Sequence, residues 1–316
     1  MQFAARFQTA WLAQRVTLRA IIYMTISYFC FAFVESVGLY LIEGITLYQV
    51  VWGRYAVHIL FMIVVLGPHY KTTLVRTSRL SIQIIRSLTM FAMPVCAILA
   101  MQSRMPEHDM WAVYWTSPLV MLALSMLVLR EPAGTTRWMI VIAGFVGAMV
   151  VFMPGRGVLT PAIFLAFGMS LAVSLHLTLS RVLRHDHPIT SLFHTALWVF
   201  ILMTFFVIPV WQTMSLRTVF GLVVIGIMGL VTLLLLARAG EIAPIPVAAS
   251  FSYTEAIWRV LINVVFFGIF PSRHTLLGAA IIAGVCVFQL WYEMRQPDVA
   301  DEHLPDVSEK PVLSAR

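Results

Sequence analysis

Residues 20–41 read AIIYMTISYFCFAFVESVGLYL, a run with one charged side chain, Glu35. As a helix it would rise about 33 Å, enough to cross the ~30 Å hydrocarbon core of a bilayer. Glu35 then lies inside the apolar layer. An ionised group there costs roughly 2.5–3.5 kcal/mol or more, so it faces protein or a wet cavity rather than lipid. Arg54, His58, Arg86, His176, Glu255 and Arg259 interrupt other apolar runs in the same way. Polar groups buried in several spans point to a transport device.

Composition agrees. Of 316 residues, 60% are hydrophobic and 11% charged, where a soluble chain carries about 25% charged residues. The expected fold class is an all-α membrane protein. The net charge of +7 does not argue for nucleic acid, because Lys and Arg fall in short connectors, where they act as topology signals. Cys30, Cys96 and Cys286 lie inside apolar runs and are odd in number, so they read as small buried hydrophobes and neither a disulfide framework nor a metal site is expected. No cofactor is implied. Arg6, Arg15 and Arg19 precede the first run as in a secretory signal, but the run is too long and lacks a small-residue cleavage site before Glu35 and Glu43, so an uncleaved span is expected. Phe3, Phe7 and Trp11 suit a short interfacial stripe or a solvated tail.

Apolar segments of spanning length fall at 20–40, 48–67, 81–101, 110–129, 137–154, 159–180, 190–211, 216–236, 243–267 and 275–293, ten in all. Residues 1–19 and 294–316 are the tails, the second acidic and expected to be disordered. With an even span count and the N-terminus in the cytoplasm, cytoplasmic segments hold 14 Lys and Arg residues. The outer ones hold 4 (Arg104, Arg156, Arg217, Arg273), and Arg54, Arg86 and Arg259 lie within spans, completing the 21. The asymmetry predicts both termini in the cytoplasm.

The halves 20–155 and 156–293 echo each other. Ile142-Ala143-Gly144 near the end of span five recurs as Ile282-Ala283-Gly284 near the end of span ten. Five spans per half forces opposite orientations, the inverted repeat of secondary transporters, whose substrate site lies at the midplane between halves. At nearly the same offset Glu35 faces His176, and the pair is expected to approach one central region. His176 is alternatively a core histidine bonded to a neighbouring helix.

The ordered series of local patterns resembles the EamA-type, ten-span members of the drug/metabolite transporter superfamily across roughly 20–293. Span two carries Trp52-Gly53-Arg54-Tyr55, and span three opens on Ile85-Arg86-Ser87-Leu88. Met105-Pro106 leads to Ser117-Pro118, and span four closes on Leu129-Arg130-Glu131. In the second half Ala243-Pro244 leads to Ser252-Tyr253-Thr254-Glu255, then to Phe267-Gly268-Ile269-Phe270-Pro271 and Leu277-Gly278-Ala279. Members that move S-adenosylmethionine-like and amino-acid metabolites are closest in layout. Leu39 stands near where many relatives have a lysine, and Ile269 replaces the glutamate of the second Gly-Glu element. The resemblance implies an inner-membrane carrier of a small metabolite.

The site residues follow from spacing. Arg54 and His58 share one face of span two, where Arg54 either faces a pore or snorkels to the headgroups. Arg86 anchors span three at the interface or attracts an anionic group. Glu255 and Arg259 have the i,i+4 order that favours an ion pair, and with Ser250, Ser252, Tyr253 and Thr254 they form either a closed structural patch or a cavity lining. Pro244 and Pro246 free carbonyls there. Trp111, Tyr114 and Trp115 read as interfacial aromatics. Gly144-x-x-x-Ala148 and Ala280-x-x-x-Gly284 permit close helix approach, within the bundle or in a homodimer.

The expected function is alternating-access transport of a small amino-acid-like or nucleoside-like metabolite, with Glu35 as central acid and proton or exchange coupling as the drive. No Gly-x-x-x-x-Gly-Lys-Ser/Thr motif supports ATP as a direct energy source. An intramembrane enzyme is the alternative class, but His-Glu-x-x-His, Gly-x-Ser-x-Gly and paired intramembrane aspartates are all missing. A non-transporting scaffold is a third, and the short tails leave it little to signal with.

Overall fold

A computed structural model describes residues 16–41, 44–184, 186–243 and 245–295. Pro244, Glu43, the aromatic stripe before residue 16 and the acidic tail after 295 lie outside these residues. The described chain is helical, with no strand. In order the main helices are α1 (Val16–Leu41), α2 (Leu47–Phe61), α3 (Leu80–Gln102), α4 (Glu107–Tyr114), α5 (Ser117–Leu124), α6 (Thr135–Phe152), α7 (Ile163–Val182), α8 (Pro188–Val207), α9 (Leu216–Ile242), α10 (Ile245–Phe251), α11 (Thr254–Phe267) and α12 (Arg273–Arg295).

Among the described residues nine helical segments are long and apolar enough to cross a membrane. A tenth crossing is made in two pieces, α10 and α11, neither long enough alone. The ends differ from the sequence reading by four residues or more in three places. The second helical segment runs to Leu74 rather than 67. The sixth span begins at Ile163 rather than 159, because a 3-10 turn occupies Arg156–Leu159. The eighth runs to Ile242 rather than 236.

Local chemistry sets the boundaries. Thr46 and Gln49 form a capping box that opens α2, each satisfying a backbone N–H of the other. Ser215 Oγ accepts from the Thr218 N–H at 3.1 Å to open α9. The fourth crossing breaks between α4 and α5, where Pro118 cannot donate to the helix and its ring excludes the preceding turn. The ninth breaks at Ser252–Tyr253 without a proline. At both breaks hydroxyls satisfy freed carbonyls: Thr116 Oγ1 donates to Val113 O at 2.8 Å, Ser252 Oγ to Ala249 O at 2.7 Å, and Thr254 Oγ1 to Phe251 O at 2.7 Å. The two breaks meet, with the Trp115 and Tyr253 rings stacked at 5.6 Å and 28°.

Packing pairs α1 with α9, α3 with α7, α6 with α12, and α2 with α8. It also sets α2 on α9, α3 on α8, α11 on α1, and α4 with α5 on α7. Large apolar side chains such as Leu127, Phe164 and Phe205 point outward, each at least 70% exposed, as suits a lipid-facing surface. Lipid is as apolar as these side chains, so close van der Waals fit holds the helices together. The closest approach of one helix backbone to another that a glycine marks joins α6 to α12: a Cβ on Gly278 would meet Val151 N at 2.6 Å and Gly147 O at 2.7 Å. The small-residue row that matters is therefore Gly147 against Gly278. Gly284 has open space where a Cβ would lie, and Gly144 receives the Tyr253 ring rather than a helix backbone.

Candidate functional site: two cavities at opposite ends of the bundle

The first face of the bundle is the end where α1 and α11 finish and α4 begins. The second is the end where α7 and α9 finish and α10 begins. Each face leads to a cavity of about 640 Å³.

The cavity behind the first face holds Glu35 from α1 and Arg54 from α2. Met93, Pro94, Ala97 and Met101 come from α3, Met110 and Trp111 from α4, Met169 from α7 and Ile225 from α9. Arg54 Nη1 lies 3.5 Å from Glu35 Oε1, with the side chains 10% and 22% exposed. The remaining wall is rich in methionine, whose flexible, polarisable side chain adapts to irregular apolar ligands. Nearer the surface a vestibule of about 1080 Å³ takes in Tyr40, Glu107, His108, Arg259, Asn263 and Phe267.

Trp111 and Leu39 line both spaces and together form the partition between them. The Trp111 Nε1–H donates to Glu107 Oε1 at 3.0 Å, and the Arg259 guanidinium lies over the Trp111 ring, 3.9 Å from the centroid. Arg259 in turn donates from Nη2 to Glu255 Oε1 at 3.2 Å. Glu255 is thus tied through Arg259 to the partition. A desolvated cation–π contact of this kind is worth about 2 kcal/mol.

The cavity behind the second face is lined by Arg86 from α3 and by His176, Ser180 and Arg181 from α7. Ser191 comes from α8, Gly240 and Glu241 from α9, Ile245 and Ala248 from α10, and Met24 from α1. Arg86 is buried and held by neutral groups: Nε donates to Ser180 Oγ at 2.7 Å, and Nη1 to Ser191 O at 2.9 Å and Thr195 Oγ1 at 2.7 Å. His176 Nδ1 lies 3.1 Å from Arg86 O. A carbonyl only accepts, so Nδ1 carries the hydrogen. At the rim Glu131 accepts from Arg181 Nε at 3.0 Å and from the Ile245 N–H at 2.8 Å, tying the end of the fourth crossing to α7 and to the start of α10.

The sequence-selected residues therefore fall into separate groups. Glu35 and Arg54 meet in one cavity, while Arg86 and His176 meet in the other. Glu35 and His176, expected near one central point, line different cavities. His58 lines none of the three spaces. It is buried edge-to-face with Tyr55 (5.0 Å) and packs on Gly229, where a Cβ would meet its Nε2 at 3.0 Å. Ser252 and Tyr253 likewise line none of the three and are packed into the meeting of the two helix breaks. The methionine wall is what sequence reasoning did not single out; Trp111 was read as an interfacial aromatic rather than a cavity wall, and Glu131 entered only as part of the Leu129-Arg130-Glu131 pattern.

No protein-family model matches the chain. A riboflavin transporter of Vibrio cholerae serotype O1 is 28% identical over 287 residues, covering 88% of this chain and 95% of its own. An S-adenosylmethionine uptake transporter of Rickettsia bellii is 25% identical over 74% of this chain and 82% of its own. A riboflavin transporter of Rhizobium johnstonii is 27% identical over 67% and 72%. A solved crystal structure superposes with a TM-score of 0.73 over 90% of this chain and 100% of that one, at 14% identity, a likeness of fold alone. These curated relatives are transporters rather than enzymes. The apolar helices and the bacterial relatives together make the chain an integral, multi-pass protein of the bacterial plasma membrane.

Proposed function

We propose that the chain is a secondary carrier that moves a small, flat heteroaromatic metabolite with a polar arm across the plasma membrane. Its halves 20–155 and 156–293 rock as inverted repeats, with both termini in the cytoplasm. One observation carries the reading: the two cavities are equivalent under a shift of five crossings. The first is lined by crossings one, two, three, four, six and eight. Adding or subtracting five gives six, seven, eight, nine, one and three, the set that lines the second. The packing pairs map onto themselves under the same shift, α1 on α9 becoming α7 on α3. A symmetric pair of dead-end cavities separated by a closed middle is the geometry that alternating access requires. The EamA-type resemblance supports the same architecture.

The substrate class rests on chemistry shared by the relatives. Riboflavin and S-adenosylmethionine each join a flat nitrogen-containing ring system to a polar chain. A methionine-rich wall with Trp111 at its edge suits the ring, and the Glu35–Arg54 pair suits polar atoms of the chain. The test is uptake of radiolabelled riboflavin and S-adenosylmethionine by liposomes holding the purified chain. Saturable uptake of at least one, competed by the unlabelled compound, is expected. Entry of both at the rate of protein-free liposomes would refute this substrate class.

A further inference from the structure

Arg54, Arg137, Arg181 and Arg259 each meet a carboxylate, from Glu35, Glu293, Glu131 and Glu255 respectively. Arg86 does not. It is 2% exposed, and no carboxylate among the described residues comes within ion-pair distance. Its three partners, Ser180, Ser191 and Thr195, are neutral acceptors that occupy Nε and Nη1. Nη2 has no partner among the described residues. Taking a guanidinium out of water costs several kcal/mol unless a counter-charge compensates it, and hydroxyls fix its direction without supplying one.

Of the acids that line the same cavity, Glu241 pairs with Arg238, and Asp186 is held by neutral donors, its Oδ2 accepting from Thr77 Oγ1 at 2.6 Å and from Gln83 Nε2 at 3.0 Å; neither lies within ion-pair distance of Arg86. Arg86 lines this cavity together with the cations Arg181 and Arg184. A planar fork held rigidly on two nitrogens, with the third free, is matched to an oxyanion.

We propose that Arg86 is the anchor of an anion-binding subsite in the cavity behind the second face. It takes a carboxylate or phosphate-type oxyanion of a small soluble molecule on its Nη2 edge. The assignment rests on the carrier reading for its biological meaning: the carried molecule bears an oxyanion. It thereby favours a substrate built like S-adenosylmethionine, which has a carboxylate, over one built like riboflavin, which has none.

Binding is read without transport. The full chain in dodecyl maltoside free of phospholipid is unfolded thermally while sodium phosphate or sodium acetate replaces sodium chloride at constant ionic strength. A saturable rise in the midpoint with either anion is expected, and which anion acts assigns the oxyanion class. Arg86→Gln should abolish the response. Because that variant may fold poorly, Ser180→Asp is the second test. It brings a carboxylate to the Arg86 Nε, supplies the missing counter-charge from within, and should weaken anion affinity about tenfold or more while keeping the fold. No response to either anion in the wild-type chain, or a Ser180→Asp response equal to wild type, overturns the proposal. An anion response in a chain that carries nothing into liposomes would sink the carrier reading and leave the subsite. Normal uptake without an anion response would do the reverse.

Discussion

The Glu35–Arg54 pair gives a prediction with a sign that depends on its surroundings. At 3.5 Å and an effective dielectric near 20, two unit charges attract by roughly 5 kcal/mol before desolvation is counted. Desolvation offsets most of this, and neighbouring charged residues usually show net couplings of about 0.5–3 kcal/mol. The cavity beside Glu35, whose side chain is 22% exposed, puts the expected coupling near the middle, about 1–2 kcal/mol. The two single variants should not cost the same. After Arg54→Gln the carboxyl can be neutralised by a proton from the cavity. After Glu35→Gln the guanidinium stays charged, 10% exposed, with no acid to face. Glu35→Gln should therefore destabilise more, and adding Arg54→Gln should recover part of the loss.

The assay is unfolding free energy by sodium dodecyl sulfate titration in mixed micelles for the wild type, both singles and the double. Additivity within about 0.5 kcal/mol would show that the charges are not coupled. The reasoning about the cavity behind the first face would then be wrong.

Trp111→Ala should merge the first cavity with the vestibule and release Arg259, raising the KM for uptake about tenfold, whereas Trp111→Phe keeps an aromatic face for Arg259 and should stay within about threefold. Glu131→Ala removes the acceptor shared by Arg181 and the Ile245 N–H. In a cysteine-free background, a cysteine at Ala248 should then react several-fold faster with a membrane-impermeant maleimide, and an unchanged rate would deny Glu131 a closing role. Gly278→Leu should lower the unfolding free energy by about 1–3 kcal/mol, since its Cβ meets backbone that cannot yield; Gly284→Ala, with open space around it, should change it by less than about 0.5 kcal/mol. Uptake driven by an imposed pH gradient should fall in Glu35→Gln, and gradient-driven uptake equal to wild type would remove Glu35 from a coupling role.

The crossings were legible because each carries its signal locally, as a length of apolar residues matched to bilayer thickness. The Glu255–Arg259 pair was legible for the same reason: four residues apart on one helix, the two side chains are neighbours whatever else the chain does. Glu35 was visible as an anomaly, but its partner was not. Periodicity says which residues share a face of a helix and is silent on which faces of different helices meet. The break at Ser252–Tyr253 escaped because no proline marks it. Trp111 looked like an interfacial anchor, since ring size and proximity to a span's end are the same for an anchor and for a partition. The expected meeting of Glu35 and His176 fails for a geometric reason. If the proposed two-fold relation holds, residues it relates meet only near its axis, where the Trp115–Tyr253 contact would lie, and away from the axis they occupy equivalent places at opposite ends.

On the proposed inverted-repeat reading the two halves are unequal in chemistry, and the inequality bears on how such a carrier would work. Behind the first face the charges are balanced in the resting structure, Glu35 against Arg54. Behind the second, Arg86 has no acid. At the rim of the second face Glu131 clasps Arg181 and the start of α10, while the corresponding place in the second half is Ile269, 60% exposed, which makes no such clasp. A symmetric device would hold its two end states at equal energy. Here one end is tied by a charged clasp and the other opens into a vestibule walled by the Trp111–Arg259 stack. On the proposed carrier reading the Glu131 clasp would set the resting preference, and an oxyanion at Arg86 would reverse it only by as much as it binds more strongly in the state that admits it, since a ligand shifts an equilibrium only by that difference in affinity.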